Sequence, residues 1–273
     1  SDDICAAFIS DIHVGSSNFL KKEFLRFIHW LNGKGNNKNL AQKIKYLFIV
    51  GDVVEGVGVY PGQEKNLEIF DVEKQYRELS NYLCMIRKDI KIILCPGDHD
   101  AVRLAHPQPP LNKKFAKDLW DIENLTLVSN PAVINIHASQ NFPGFNVLMY
   151  HGHGYHYYMD VDSLRQKDVP NNPRHVMQFL LKKRHLAPSQ TSTIYVPDEK
   201  QDGLLIDKVP DIFVSGHLHK SDISSYNNVL IVNSSCWQSQ TEFELKVGNF
   251  PDPCKVPVLN LKSREIEVLD FND

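Results

Sequence analysis

Between residues 92 and 100 the chain reads Ile92-Ile93-Leu94-Cys95-Pro96-Gly97-Asp98-His99-Asp100. The first four residues form an apolar run typical of a buried strand, and Pro96-Gly97 ends it. An acid, a histidine and a second acid follow at the carboxyl end of the predicted strand, where open α/β sheets place their sites. Taken alone, such a turn is as compatible with a structural loop as with a metal or catalytic site. The same pattern recurs along the chain, and this recurrence favours a site.

Length and composition set the broad class. The 273 residues suffice for one large domain or two small ones, each with a substantial core. Hydrophobic residues make up 42% and charged residues 23%, which is ordinary for a globular protein. The net charge of −3 gives no general attraction to nucleic acid or anionic membranes. A phosphate-bearing partner must therefore be held by a local basic patch or by bound cations.

Cysteine usage and hydropathy bear on the cellular setting. The five cysteines are odd in number, widely spaced and contain no CxxC motif. They predict reduced thiols that mostly fill the core, in a cytosolic setting, rather than a disulfide framework or a zinc–thiolate site. No apolar run approaches the roughly 20 residues of a membrane span, and no signal peptide is recognisable.

The first half of the chain predicts a βαβαβ core. Continuous apolar runs at 4–9, 46–50 and 92–95 are typical of strands buried on both faces. Helical spacing of apolar residues predicts one helix around residues 24–31 and another that begins after Asp71, whose side chain suits an N-cap. Each of the three strands ends in acidic or histidine residues.

The second half is less regular. It predicts a short helix at 112–121, strands at 125–128, 132–136, 145–150 and 211–214, and antiparallel strands at 229–232, 256–261 and 266–269. Prolines at 170, 173, 188 and 197 interrupt the segment 154–210, which surrounds one helical stretch ending in Lys182-Lys183-Arg184-His185. We expect this segment to be an insertion or cap beside the site.

Five strand ends carry metal-binding residue types. The motifs are Asp11-x-His13, Gly51-Asp52-x-x-Glu55, Gly97-Asp98-His99-Asp100, His151-Gly152-His153 and Gly216-His217-Leu218-His219. Each motif alone could be a helix cap or a hydrogen-bonded polar residue. Together they indicate a centre of oxygen and nitrogen donors, which suits first-row divalent cations and includes no thiolate.

The five motifs resemble those of the calcineurin-like metallophosphoesterase superfamily. The resemblance implies a four-layer αββα fold, with two mixed sheets packed face to face between helices, spanning residues 1–273. It also implies a dinuclear metal centre at the strand ends, with Mn²⁺ expected and Fe or Zn as alternatives. Asp11, His13 and His219 would hold one ion, Asp98, His151 and His217 the other, and Asp52 would bridge them.

The resemblance also assigns the catalytic residues. His99 would protonate the leaving oxygen. Glu55, at a position where the superfamily usually has Asp, would orient His99. Asp98 stands where Asn is usual, so a third carboxylate joins Asp11 and Asp52. We expect firmer metal binding, weaker phosphate binding and slower turnover from this extra charge.

Further segments resemble the small subunit of archaeal family-D DNA polymerases. They are Ala101-Val102-Arg103, His106 to Leu111, Lys183 to Pro188, Val209 to Phe213 and Asn233 to Thr241. This resemblance implies a 3′→5′ exonuclease that proofreads for a separate large catalytic subunit and acts on single-stranded DNA 3′ ends. It further implies contact with the sliding clamp through the holoenzyme, a cytoplasmic, nucleoid-associated archaeal setting, and an N-terminal oligonucleotide-binding domain not included in this chain.

Substrate contacts and rival functions remain open at this point. Arg103, His153, Lys183 and Arg184 are candidate DNA contacts. The basic cluster at 182–185 could equally be a solvated helix end, and the aromatic residues after His153 could stack a base or fill a packed interior. The rival functions are a phosphomonoesterase or cyclic-nucleotide phosphodiesterase, and a scaffold subunit with a weakly active site.

Overall fold

The structure, a computed structural model, describes residues 2–189 and 191–272. Its first sheet has six strands in the order β11-β10-β1-β2-β3-β4. Strands β1 to β4 run parallel, while β10 and β11 continue the sheet in antiparallel fashion. The bounds are β1 Cys5–Ile9, β2 Ile44–Val50, β3 Lys91–Cys95, β4 Leu125–Leu127, β10 Lys255–Asn260 and β11 Ile266–Asp270.

The second sheet has five strands in the order β5-β6-β7-β9-β8. Its three central strands are parallel and its two edge strands antiparallel, so both sheets are mixed. The bounds are β5 Ala132–Ile136, β6 Phe145–Met149, β7 Ile212–Ser215, β8 Asp222–Tyr226 and β9 Val229–Asn233.

Helices pack on the outer faces of both sheets. The α-helices of the described residues are α1 Lys21–Leu31, α2 Lys38–Lys43, α3 Val72–Cys84, α4 Lys117–Trp120, α5 Tyr155–Tyr158, α6 Asp162–Arg165, α7 Arg174–Lys183 and α8 Glu242–Val247. No helix of the described chain is long and apolar enough to cross a membrane.

Side-chain alternation along the strands produces four layers. Phe8 and Phe48 point into a core between the sheets, where they meet Val147 and Val214 of the second sheet. The intervening residues of β1 and β2 point the other way and pack on α1 and α3. A strand buried on both faces must be apolar throughout, which explains the continuous apolar runs. The α/β fold with two mixed sheets between helices is therefore confirmed.

The segment 154–210 supplies the helical layer on the outer face of the second sheet. Its helix α7 buries Met177 and Leu180 against Phe213 and Ile231 on the outer face of the second sheet. The segment thus shares a hydrophobic core with that sheet rather than standing apart from it.

Two sequence-based expectations about elements were inaccurate. Strand β8 was not predicted, because its sequence Asp-Ile-Ser-Ser-Tyr is mostly polar; it is an edge strand paired only to β9. The helix expected over 112–121 is limited to Lys117–Trp120. The residues before it form turns in which Asn112 Oδ1 accepts a hydrogen bond from the Lys114 amide, a local bond that competes with helix formation.

Candidate metal centre

Seven candidate ligands converge from five loops. Each loop follows the carboxyl end of a parallel strand, and these are β1, β2 and β3 of the first sheet and β6 and β7 of the second. Five of the seven residues have positive φ angles between 50° and 70°, namely Asp11, His13, Asp52, His217 and His219. Non-glycine residues rarely adopt this conformation, and such strain persists where the surrounding structure enforces it, often at functional sites.

Asp11, His13 and His219 form the first group. Their ligand atoms all lie within 4.8 Å of one another. Oδ1 of Asp11 is 3.4 Å from Nε2 of His219 and 3.9 Å from Nε2 of His13. Three buried or nearly buried donors at this spacing could hold one cation.

Asp52, Asp98, His151 and His217 form the second group, again with ligand atoms within 4.8 Å of one another. Nε2 of His151 lies 3.1 Å from both Oδ2 of Asp52 and Oδ1 of Asp98. The two groups adjoin, because the same Nε2 atom is 4.0 Å from Oδ1 of Asp11. The structure thus brings together the two sets of residues that the sequence suggested, while the bridging role of Asp52 stays a prediction.

Several donor atoms of the two groups lack a hydrogen-bond partner. Among the described residues, buried atoms with no hydrogen bond include Asp11 Oδ1, His13 Nε2, Asp98 Oδ1 and His151 Nε2. Buried polar atoms are nearly always paired, so a cluster of unpaired ones needs an explanation. A divalent cation in each group would satisfy them, and the residues present therefore fit a metal centre.

The other ring nitrogens of three histidines are held in place. Nδ1 of His13 lies 2.9 Å from Oε2 of Glu55, and Nδ1 of His219 lies 2.8 Å from Oε1 of Glu244. Nδ1 of His151 donates to the carbonyl oxygen of Val50 at 2.8 Å. Since each partner can only accept, Nδ1 carries a proton and Nε2 is the ring nitrogen that faces the centre.

Opposing effects set the charge of the central acids. Burial and the charge of Asp98 disfavour ionisation of Asp52, but His151 and His99 hold its pKa below the usual range. Burial likewise disfavours ionised Asp98, yet His217 and His151 hold its pKa well below normal. Both acids are therefore carboxylates, the form that binds cations.

His99 and Glu55 are neighbours, but not in the arrangement expected. Nδ1 of His99 donates to the backbone carbonyl of Glu55 at 2.9 Å and lies 4.0 Å from its carboxylate. The Glu55 carboxylate instead faces His13 and also accepts from Gln63 and Gln238. The extra methylene of Glu, compared with Asp, carries the carboxylate past His99.

Asp100 joins the loops after β2 and β3. Its carboxylate accepts hydrogen bonds from the Gly97 amide at 2.8 Å and from the Tyr76 hydroxyl at 3.2 Å. Burial, and then the charge of Asp52, raises the pKa of Asp100 to about 7. A residue so enclosed shapes the Gly97–Asp100 turn.

Two glycines allow the loops to approach the acids. A Cβ atom on Gly97 would lie 2.2 Å from Oδ1 of Asp52, and one on Gly216 would lie 2.5 Å from Oδ2 of Asp11. No side chain fits at such distances. The glycines before Asp98 and His217 are therefore required for packing around the centre.

Comparisons with known proteins identify the family. The sequence profile for the B subunits of DNA polymerases alpha and epsilon matches residues 6–223. The chain belongs to this family. It is 42% identical to the DNA polymerase II small subunit of Pyrococcus abyssi over 275 aligned residues, covering 99% of this chain and 43% of that protein. It is 40% identical to the same subunit of Methanothermobacter thermautotrophicus, covering 94% of this chain and 52% of that protein.

The chain therefore spans about half the length of the curated relatives it matches. Among solved structures, an archaeal phosphodiesterase aligns over 97% of this chain and 99% of its own, with 14% identity and a TM-score of 0.48. The resemblance to archaeal polymerase small subunits is confirmed by the family match and the relatives.

The candidate DNA contacts in this member of the polymerase B-subunit family differ in their positions. Nδ1 of His153 lies 3.3 Å from Oδ2 of Asp98, so His153 is at the centre. The guanidinium of Arg184 donates to the carbonyls of Ile206 and Asp207, each at 2.6 Å, and the ammonium of Lys183 lies over the ring of Phe179. The guanidinium of Arg103 donates to the carbonyl of Pro107 at 2.7 Å. Both arginines thus hold local backbone, and their DNA contacts remain predictions.

Sequence reasoning missed Glu244, which contacts His219 from α8. The ring of His156, one of the aromatic residues after His153, stacks edge-on against His217 with centroids 5.0 Å apart. The pattern Thr241-x-x-Glu244 before α8 is a recognisable capping box. Nothing in that pattern indicates a histidine 25 residues away, so only the folded chain reveals the contact.

Proposed function

We propose that this chain is a dinuclear-metal phosphodiesterase that removes nucleotides from DNA 3′ ends and proofreads for a DNA polymerase. The observation that carries the proposal is the pair of adjoining donor groups with unpaired buried atoms, in a chain of the polymerase B-subunit family. Polymerase subunits work beside a primer 3′ end, where a metal centre of this composition suits phosphodiester hydrolysis.

Each group would hold one divalent cation, with Mn²⁺ the expected metal. Asp11, His13 and His219 would bind the first, and Asp98, His151 and His217 the second, with Asp52 between them. When bound, the two cations would make a water molecule acidic and neutralise negative charge on the phosphate oxygens.

His99 would supply the proton that the leaving oxygen requires. Its amide donates to Oδ1 of Asp52 at 2.9 Å and its Nδ1 donates to the Glu55 carbonyl. These two bonds fix the ring beside the centre and leave Nε2 as the atom that can hold and deliver a proton. His153, on the Asp98 side, is the neighbouring side chain best placed to contact the phosphate.

The names of the relatives indicate the partners of the whole protein. The relatives are named as small subunits of a DNA polymerase, and a small subunit implies a large one. We propose that the whole protein binds a large catalytic subunit in the cytoplasm, receives single-stranded 3′ ends from it, and meets the sliding clamp only through that assembly.

A direct assay tests the activity. The purified chain, loaded with Mn²⁺, is incubated with single-stranded DNA labelled at its 5′ end. We expect a ladder that shortens from the 3′ end, stops on addition of EDTA, and slows by roughly 10²- to 10⁴-fold in His99→Ala. Release of inorganic phosphate from phosphopeptides, with the DNA left intact, would instead identify a phosphomonoesterase.

A scaffold role in the polymerase is the second candidate, because the relatives are named only as polymerase subunits. Elemental analysis separates the two. We expect close to two equivalents of metal per chain after purification with Mn²⁺. A chain that retains none under those conditions would act by binding alone.

A further inference from the structure

The helix α8 lies beside the metal centre, and two of its apolar side chains face solvent. Phe243 and Leu245 are 70% and 62% exposed, and neither belongs to the hydrophobic cores of the described chain. A helix of six residues is not stable by itself in water. Polar contacts of the described residues help to hold it in place.

Those polar contacts centre on Glu244. Its Oε2 accepts hydrogen bonds from the amide and hydroxyl of Thr241, at 2.8 and 3.0 Å, which completes the capping box. Its Oε1 accepts from Nδ1 of His219 at 2.8 Å and from the side-chain amide of Asn249 at 3.3 Å. The buried carboxylate thus uses one oxygen for the helix and the other mainly for His219.

We propose that Glu244 is a positioning residue for the metal centre, and that α8 serves to hold it against His219. The inference rests on the proposed metal-dependent function. A carboxylate accepts but does not donate, so Glu244 keeps a proton of His219 on Nδ1 and leaves Nε2 as the nitrogen that faces Asp11 and the centre. It also makes the imidazole a stronger ligand.

Because of Glu244, the two donor groups differ in the hydrogen-bond acceptors that lie behind their histidines. Both histidines of the first group, His13 and His219, are backed by buried carboxylates, those of Glu55 and Glu244. In the second group His151 is backed only by the carbonyl of Val50. Loss of Glu244 should therefore weaken one of the two metal sites and leave the other close to its normal affinity.

Four variants test this proposal by Mn²⁺ titration, with free Mn²⁺ followed by electron paramagnetic resonance. In Glu244→Ala we expect one of the two ions to bind roughly 10- to 100-fold more weakly. Glu244→Gln keeps an acceptor oxygen without the charge, so it should recover part of this loss. Thr241→Ala, which breaks the helix cap but keeps the carboxylate, should weaken the same site less than Glu244→Ala does. Glu242→Ala, at an exposed glutamate of the same helix, should bind both ions as the wild type does.

A second readout needs no metal. Proton spectra of the metal-free protein should show a downfield, slowly exchanging Nδ1–H signal of His219 in the wild type and in Glu244→Gln, because this hydrogen is bonded to residue 244. The signal should be lost in Glu244→Ala. Unchanged affinities and an unchanged Nδ1–H signal in Glu244→Ala would overturn the proposal. If thermal unfolding shows that this variant does not fold, full wild-type Mn²⁺ affinity in Glu244→Gln would overturn it.

The inference and the proposed function can fail separately. Wild-type protein that binds two Mn²⁺ ions and degrades no DNA would contradict the exonuclease proposal, while the loss of one site in Glu244→Ala would still support the role of Glu244. Active enzyme whose Glu244 variants bind Mn²⁺ as the wild type does would contradict the role of Glu244 and support the exonuclease.

Discussion

The carboxylate of Glu55 lies 2.9 Å from Nδ1 of His13 and 4.0 Å from Nδ1 of His99. The carbonyl oxygen of the same residue holds His99. One residue therefore serves a metal-ligand candidate through its side chain and the proposed proton donor through its backbone. A side-chain substitution can remove the first contact and keep the second.

Glu55→Gln should weaken metal binding more than it affects proton transfer. Loss of the charge behind His13 is expected to reduce Mn²⁺ affinity by roughly tenfold or more, while saturating Mn²⁺ should restore most of the turnover rate because the carbonyl still orients His99. Exonuclease rates measured across a Mn²⁺ titration check this. A variant whose rate stays low at saturating Mn²⁺ would mean that the carboxylate itself acts with His99.

Asp98→Asn should raise the exonuclease rate. The Asp98 carboxylate contacts His151 at 3.1 Å and both His217 and His153 at 3.3 Å, and its charge adds to those of Asp11 and Asp52. A neutral amide keeps one donor oxygen and leaves the cations more electrophilic. If the barrier falls by about 1 kcal/mol, the single-turnover rate at saturating Mn²⁺ rises roughly fivefold. An unchanged or lower rate would refute this reasoning, and weaker Mn²⁺ binding should accompany the gain.

Gly97→Ala should disrupt the centre. The added Cβ would lie 2.2 Å from Oδ1 of Asp52, so the loop or the acid must move. We expect loss of one or both Mn²⁺ ions and a decrease of about 1–3 kcal/mol in the free energy of unfolding. The control is Gly58→Ala, where φ is +76° and no atom lies within 4 Å, so only backbone strain is added. Equal metal affinity in the two variants would argue against tight packing at residue 97.

His106 should make the protein less stable in mild acid. Its ring is buried, with Nδ1 3.1 Å from the Thr193 hydroxyl. Burial, and then the charge of His153, lowers its pKa from 6.5 to about 4, although the charge of Asp98 opposes the shift. The unfolded chain therefore binds more protons than the folded chain between these values. Stability should fall as the pH falls through that window, by at most about 1.4 kcal/mol per pH unit.

Urea unfolding at several pH values measures this contribution. The pH dependence in His106→Asn should be shallower than in the wild type between about pH 6.5 and 4. His29→Asn, at an exposed position of α1, is the control and should retain the wild-type slope. Parallel curves for His106→Asn and the wild type would show that His106 does not titrate on unfolding.

Much of the fold and the approach of the candidate ligands to one another could be predicted from the sequence, for a local physical reason. Strands buried on both faces must be apolar throughout, so β1, β2, β3, β6 and β7 are visible as runs, and each ends where polar donors begin. Since the carboxyl ends of parallel strands share one edge of a sheet, the motifs that follow β1 to β3 had to lie near one another. The polar edge strand β8 carries no such pattern and was missed.

Only the tertiary structure determines which residue hydrogen-bonds to the ring nitrogen of each histidine that points away from the metal centre. Whether the carboxylate of Glu55 reaches His13 or His99 depends on how far its extra methylene extends between two loops, and the motif contains both possibilities. The pairing of Glu244 with His219 joins a helix cap to a strand-end loop 25 residues earlier. Such contacts depend on distances of about an ångström between separately folded segments, and a linear pattern of residue types does not encode them.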